Sequence, residues 1–143
     1  MDDRTIPQVT SHQAQVNSDT RHRTQDTKCK GYKKLIVWDL ADQLTVIVYK
    51  ITKTFPRDEL FGLTSQIRRA AASIPTNIAE AMGRQNKNET KQFINIALGS
   101  LAEVEYLLEL CHKLEFLDNA SFNELEGLRS RVGGLLWKLY KSF

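Results

Sequence analysis

"SQIRRAAASIPTNIAEAMGR", residues Ser65 to Arg84, carries Ile67, Ala70, Ile74 and Ile78 at three- and four-residue steps, one face of an α-helix. A proline stands in its middle. Pro75 has no amide proton, so the carbonyl of Ala71, four residues back, loses its helical donor. Such a proline costs about 3 kcal/mol relative to alanine in a helix interior. The stretch predicts a helix kinked at Pro75, with the hydroxyls of Ser73 and Thr76 available to ease the bend. A break into two helices at Ser73–Pro75 is the alternative.

Outward from this helix the same periodicity recurs. Upstream, Val37, Leu40, Leu44, Ile47, Ile51 and Phe55 form a first apolar face. Pro56 ends that helix, and Asp58 is expected to cap the second, whose stripe runs Leu60, Leu63, Ile67, Ala70, Ile74 and Ile78. Gly83 is its natural stop. Asn88 is expected to cap a third helix, with Glu89 in its first turn and Ile94, Ala97, Leu101, Val104, Leu108 and Cys111 on its stripe. "LDNASFNE" interrupts the pattern. Ser121 and Glu124 have the spacing of a capping box, ahead of a fourth stripe at Leu125, Leu128, Val132, Leu135 and Leu139. No segment alternates with period two. The fold class expected is all-α, an antiparallel up-down four-helix bundle.

A chain of 143 residues that is 41% hydrophobic suits one domain with a real core. It divides into a polar arm, residues 1–31, and a bundle domain, residues 32–143. The arm's large aliphatics are Ile6, Val9 and Val16, too few to offset the entropy of ordering it, so disorder is expected there. Its start has no apolar core of a secretory signal, and the chain has no uncharged apolar run of about 18 residues. No membrane partner is expected from such a chain, and Cys29 and Cys111 make no disulfide framework, which points to reduced thiols and a cytoplasmic setting.

On a helical wheel the side of the second helix away from its stripe holds Arg69, Ser73, Thr76 and Glu80, flanked by Arg68, Ala72, Pro75 and Ala79. A solvated face ordinarily carries long charged side chains. This one is mostly small and lets another backbone approach closely. The third helix is apolar well beyond its stripe, at Phe93, Ile96, Leu98, Leu107 and Leu110. Both features predict a homo-oligomer. Its contacts are expected at Arg69, Ala72, Ser73, Pro75, Thr76, Asn77, Glu80, Phe93 and Ile96.

Catalytic chemistry is hard to build from these residues. Glu109-Leu-Cys-His112 is a single Glu-x-x-His match, and a di-iron bundle needs two. Cys111 and His112 are adjacent on a helix and point about 100° apart, so they form no dyad. No arginine precedes His112 at the spacing of the helical nucleotide-binding RNases, and no glycine-rich phosphate loop is present. Gly133-Gly134 falls inside the fourth helix and suggests close packing. The expectation is no enzyme, no catalytic residues, no metal and no cofactor.

Basic residues remain. The formal charge is only +3, and from Gly31 onward fifteen bases face thirteen acids. Arg84, Lys87 and Lys91 nevertheless cluster at the turn between the second and third helices. Arg68 and Arg69 lie on the second helix, and Arg129, Arg131, Lys138 and Lys141 on the fourth. In a ring such patches repeat around an axis and their fields add. Candidate phosphate contacts are Arg68, Arg69, Arg84, Lys87, Lys91, Arg129 and Arg131, gripping the backbone of RNA or DNA rather than its sequence. The aromatics fall mostly at core spacing, so no stacking platform is expected.

"VYKITKTFPRDELFGLTSQIRRAAASIPTNIAEAMGR" and "FINIALGSLAEVEYLLELCHKL" together resemble the four-helix-bundle proteins encoded in 23S rRNA intervening sequences. The likeness runs from about Lys33 to Tyr140. Its most specific pieces are Phe55-Pro56, the run from Leu63 to Ala70, Ser73-Ile74-Pro75, Asn77-Ile78-Ala79-Glu80 and Ala97-Leu98-Gly99-Ser100. The family pattern has glycine after the Asn-Ile-Ala-Glu run; Ala81 stands there here, which moves the expected turn to Gly83. The arm is additional to the pattern. The resemblance implies a ring, a homopentamer, and no catalytic activity is established for the family. More distantly the chain is similar to the accessory variability proteins of diversity-generating retroelements, which bind nucleic acid and associate with a reverse transcriptase. That implies either RNA or DNA, or a protein such as a reverse transcriptase, as partner. Under the resemblance Arg69 and Glu80 pair across subunits while Ser73, Pro75 and Asn77 shape the contact, or Arg68 and Arg69 face a groove and grip phosphate.

Overall fold

The apolar stripes become four helices: α1 (Ile36–Ile51), α2 (Leu63–Met82), α3 (Lys87–Lys113) and α4 (Asn119–Lys141). A computed structural model describes residues 31–143. The polar arm, with Cys29, His12 and His22, lies outside the described residues apart from Gly31, which opens a short 3-10 turn, Gly31–Lys34. Two further 3-10 turns, Thr52–Thr54 and Arg57–Glu59, carry the chain around Pro56. No strand occurs among the described residues.

The helices run antiparallel in sequence order. Between α1 and α2, Thr45 meets Ala71 while Thr52, a later residue, meets Arg68, an earlier one. Between α2 and α3, Ser73 meets Ser100 and Arg84 meets Phe93. Between α3 and α4, His112 meets Asn119, Arg129 meets Glu105, and Lys91 meets Tyr140. α1 also packs on α4, which closes the bundle. One end therefore gathers the start of α1, the end of α2, the start of α3 and the end of α4.

The core is nearly the one the periodicity predicts. Leu44, Ile67, Ile74, Ile78, Ile94, Leu108 and Leu125 are fully buried, and every stripe residue of α3 is buried. Three stripes need correction. On α1 Ile47 and Ile51 are half-buried, and Ala41 and Val48 complete the buried line. Leu60 precedes α2 and is 48% exposed, because the helix begins only at Leu63. On α4 the buried line is Leu125, Val132 and Leu136, with Leu128, Leu135 and Leu139 half-buried beside it. Of the extra apolar residues on α3, Leu107 is buried and Phe93, Leu98 and Leu110 pack against the core of the same chain. Ile96 alone of that set stays 46% exposed.

The caps also differ from expectation. Asn86, not Asn88, caps α3: its Oδ1 accepts from the amides of Asn88 at 2.8 Å and Glu89 at 3.4 Å. Asp118, not Ser121, caps α4, accepting from the Ser121 amide at 2.7 Å. Asp58 caps nothing; the Glu59 carboxylate accepts from the Leu63 amide at 3.1 Å. Its Oε2 fills the space beside Gly62 that a Cβ would occupy, 2.7 Å from the ideal position.

α2 is continuous through Pro75, so the chain does not break into two helices there. The Ala71 carbonyl accepts a hydrogen bond from Thr45 Oγ1 on α1 at 3.0 Å. The hydroxyls expected to help are committed elsewhere: Thr76 donates to the Ala72 carbonyl at 2.7 Å, and Ser73 Oγ lies 2.7 Å from Ser100 Oγ. Gly133 is a point of close approach, since a Cβ there would meet Leu101 at 3.1 Å; Gly134 has no such neighbour.

Candidate nucleic-acid interface

The bundle end that joins α2, α3 and α4 brings three of the sequence-predicted bases together. Arg84 follows the last turn of α2, bonds Glu80 at 2.9 Å and lays its guanidinium 4.7 Å from the Phe93 ring centroid. Lys87 opens α3 and is exposed. Lys91, one turn on, holds its ammonium 5.4 Å from the Tyr140 ring on α4. Tyr140 stacks against Trp137 at 5.4 Å with an interplanar angle of 14°. Lys141 places its ammonium 5.2 Å from the Trp137 ring. Residues three and four apart on one helix are neighbours, which is why Trp137, Tyr140 and Lys141 meet.

Sequence reasoning missed this aromatic pair by assigning the aromatics to the core. Trp137 is 49% exposed. The signal was present: Trp137 follows Leu136, and a neighbour on a helix points about 100° away from a buried side chain.

The other basic candidates are dispersed. Arg68 donates through Nε to Thr52 Oγ1 at 2.7 Å and through Nη2 to the Tyr49 carbonyl at 3.4 Å, with its guanidinium over the Tyr49 ring. It thus ties α2 to the last turn of α1. Arg129 is held by Glu126, with Nε 2.8 Å from Oε2, and by Glu105 on α3 at 3.4 Å; its side chain is 12% exposed. Its hydrogen bonding to the Glu126 carboxylate raises its pKa above the usual guanidinium value. Arg69 and Arg131 are exposed and have no ionic partner among the described residues.

The expected subunit-contact residues of α2 fall on two of its sides, while Phe93 and Ile96 lie on α3. An open groove of about 690 Å³ is lined by Arg68, Arg69, Ala72, Ser73, Thr76 and Asn77, with Tyr49, Leu60 and Phe61 along its edge. Phe61 is 93% exposed. A smaller hollow of about 330 Å³ lies where Pro75, Thr76, Ala79 and Glu80 face Tyr32, Trp38 and Asp42. Several of these residues already have work inside the chain. Asn77 Nδ2 donates to the Ser73 carbonyl at 2.8 Å, and Ser73 reaches Ser100, so both serve α2–α3 packing. Glu80 pairs with Arg84, and Pro75 is buried.

His112 Nε2 lies 2.7 Å from Asn119 Oδ1, and its ring stacks on Phe122 at 4.3 Å. Cys111 is buried; burial first, and the charge of Glu59 second, push its thiol pKa up to about 11. No group of three or more metal-ligating side chains occurs among the described residues. No helix among them is long and apolar enough to cross a membrane.

Comparison with known proteins gives the matching lineage. No curated protein matches the chain. Among solved structures, a protein of unknown function from the S23 ribosomal protein family of Bacteroides thetaiotaomicron is similar, with 27% identity and a TM-score of 0.69. The similarity covers 74% of this chain and 96% of that one. Residues 33–138, essentially the whole bundle, match the family described as 23S rRNA-intervening sequence protein. With that match spanning most of its length, and with the four-helix architecture in place, this chain belongs to the 23S rRNA-intervening sequence protein family.

Proposed function

We propose that this protein is a non-enzymatic, self-associating helical bundle that binds nucleic acid through its basic end. One observation carries the proposal. Arg84 and Lys87 flank the turn between α2 and α3, Lys91 reaches from α3 to Tyr140 on α4, Lys141 lies over the adjoining Trp137, and these three lysines have no ion-pair partner among the described residues. Unpaired ammonium groups held close together attract phosphate, and binding releases condensed counterions. Self-association multiplies the patch. A ring, the homopentamer of the family resemblance, would repeat it around an axis and sum the fields. The α2 groove with its exposed Phe61 supports a contact between copies.

The test uses full-length protein, a structured RNA and a duplex DNA across a salt series, beside the triple variant Arg84→Ala/Lys87→Ala/Lys91→Ala. Affinity should fall linearly with salt on logarithmic axes. The variant's slope should be shallower by about 0.7–0.9 for each phosphate it no longer neutralises. No retention of either nucleic acid at low salt by assembled protein sinks the proposal. Assembly is read by light scattering; Phe61→Asp should lower the assembled mass, and an unchanged mass removes the groove from the contact.

A second reading rests on the same exposed Phe61 and Leu60. An apolar groove edge of this kind also suits a protein partner, for example a reverse transcriptase or another mobile-element protein. Its signature is salt-insensitive capture of that partner, abolished in Phe61→Asp and unaffected by the basic-end variant.

A further inference from the structure

The basic end holds more than charge. Trp137 and Tyr140 stack on each other at the surface, and an ammonium lies near each ring, Lys141 by Trp137 and Lys91 by Tyr140. A bundle of this size has core positions for large apolar groups, and the neighbouring Leu136 occupies one, fully buried. Trp137 instead leaves about half its surface in water. Tyr140 is half-buried and anchors the pair against the core. The pair is therefore a supported, parallel, exposed aromatic surface rather than two stray side chains.

We propose that Trp137 and Tyr140 are a stacking platform for unpaired bases, so that the preferred ligand of the basic end is single-stranded nucleic acid. The inference rests on the basic-end proposal and adds to it the state of the strand. Every base has a π-face, and base–aromatic stacking inside a cationic groove is how single strands are held without sequence preference. Cation–π contacts at exposed sites are weak, so Lys141 and Lys91 can exchange a ring for a phosphate while a base takes the ring. The acids at this end are Glu80, which pairs with Arg84, Glu89 in the first turn of α3, and Asp39 and Asp42 near the start of α1, where Asp39 accepts from Gln43 and Asp42 shares the smaller hollow with Glu80. A duplex keeps its bases stacked inside and offers this surface only phosphates. Base stacking on an aromatic ring does not read the sugar, so RNA and DNA strands are both expected to bind.

The indole itself reports. In full-length protein carrying Trp38→Phe, Trp137 is the remaining tryptophan. Oligouridylate, oligothymidylate and a duplex of equal length are titrated at low salt. Both single strands are expected to quench Trp137 fluorescence, and the duplex is not. In the wild-type background Trp137→Ala should weaken single-strand binding about ten- to a hundredfold, the loss of one base stack, and leave duplex binding unchanged. Trp137→Phe should keep most of the affinity and guards against a folding effect, which circular dichroism checks. If Lys87→Ala/Lys91→Ala weakens binding while Trp137→Ala does not and no quenching occurs, the platform is overturned and the basic end survives. Quenching by polyglutamate equal to that by the oligonucleotides also overturns it, since any polyanion would then suffice. If no nucleic acid binds, both proposals fall together.

Discussion

Thr45 is the residue that makes Pro75 tolerable. Its hydroxyl stands 3.0 Å from the Ala71 carbonyl, the acceptor that Pro75 leaves without a helical donor, and 2.9 Å from the Ala41 carbonyl of its own helix. One proton serves both. Ala71 is fully buried, so without Thr45 its carbonyl would be desolvated and unpaired. Thr45→Val, which keeps the shape and removes the hydroxyl, should destabilise the fold by about 1–3 kcal/mol in urea denaturation. In a Pro75→Ala background an amide again reaches the Ala71 carbonyl, and the same substitution should cost close to nothing. Additive effects in that double-mutant cycle would show that Thr45 acts by some other route. Cys111 is the second residue with a definite expectation. Its folded pKa of about 11 lies above the unfolded thiol value near 8.5. The stabilisation is fully present below the unfolded value and declines as pH rises from there toward the folded one. In a Cys29→Ser background the native thiol should resist Ellman's reagent at pH 8 and react once urea unfolds the chain.

Helix boundaries were where sequence and structure diverged most. Each linker or the turn after it offers more than one polar residue able to cap, and which of them caps depends on where the preceding chain enters, not on residue type alone. Asn86→Ala should cost about 1 kcal/mol, whereas Asn88→Ala, whose side chain caps nothing, should stay within about 0.5 kcal/mol. The Asp118 carboxyl lies below its usual pKa because it accepts from the Ser121 amide. Its contribution is present above the unfolded carboxyl value and is lost as pH falls through the folded one. The end of α3 is unusual. Glu115 takes φ of 63°, and the amides of Glu115 and Phe116 bond the carbonyls of His112 and Cys111. That is a Schellman closure with glutamate where glycine is preferred. Glu115→Gly should therefore stabilise the protein by about 1 kcal/mol, measured as a raised denaturation midpoint.

At the scale of the molecule, charge separates into two kinds. Arg129 is an internal tie between α3 and α4, while exposed Lys87, Lys138 and Lys141 and half-buried Lys91 have no carboxylate partners among the described residues. Arg129→Ala should cost about 1 kcal/mol of stability and leave nucleic-acid affinity unaltered. The Lys87→Ala/Lys91→Ala variant should do the reverse, and urea melts beside salt-series titrations distinguish the two. From sequence both sets were simply basic residues on amphipathic helices. Arg129 reveals its role only through Glu105, a residue on another helix.

The amino-acid sequence by itself determined that four helices form, which faces they bury, that α2 stops at Gly83, and that they fold back on one another through short links. Helical periodicity is local: each stripe is set by residues within a few positions, and burying it needs only some apolar neighbour. Only the tertiary structure decided that Thr45 relieves Pro75, that Arg129 joins Glu105, and that Trp137 and Tyr140 meet Lys91 at one end. Those meetings depend on the rotation and axial offset of packed helices. One residue of rotation turns a face by about 100°, and the apolar stripes alone leave that choice to the packing of the whole core.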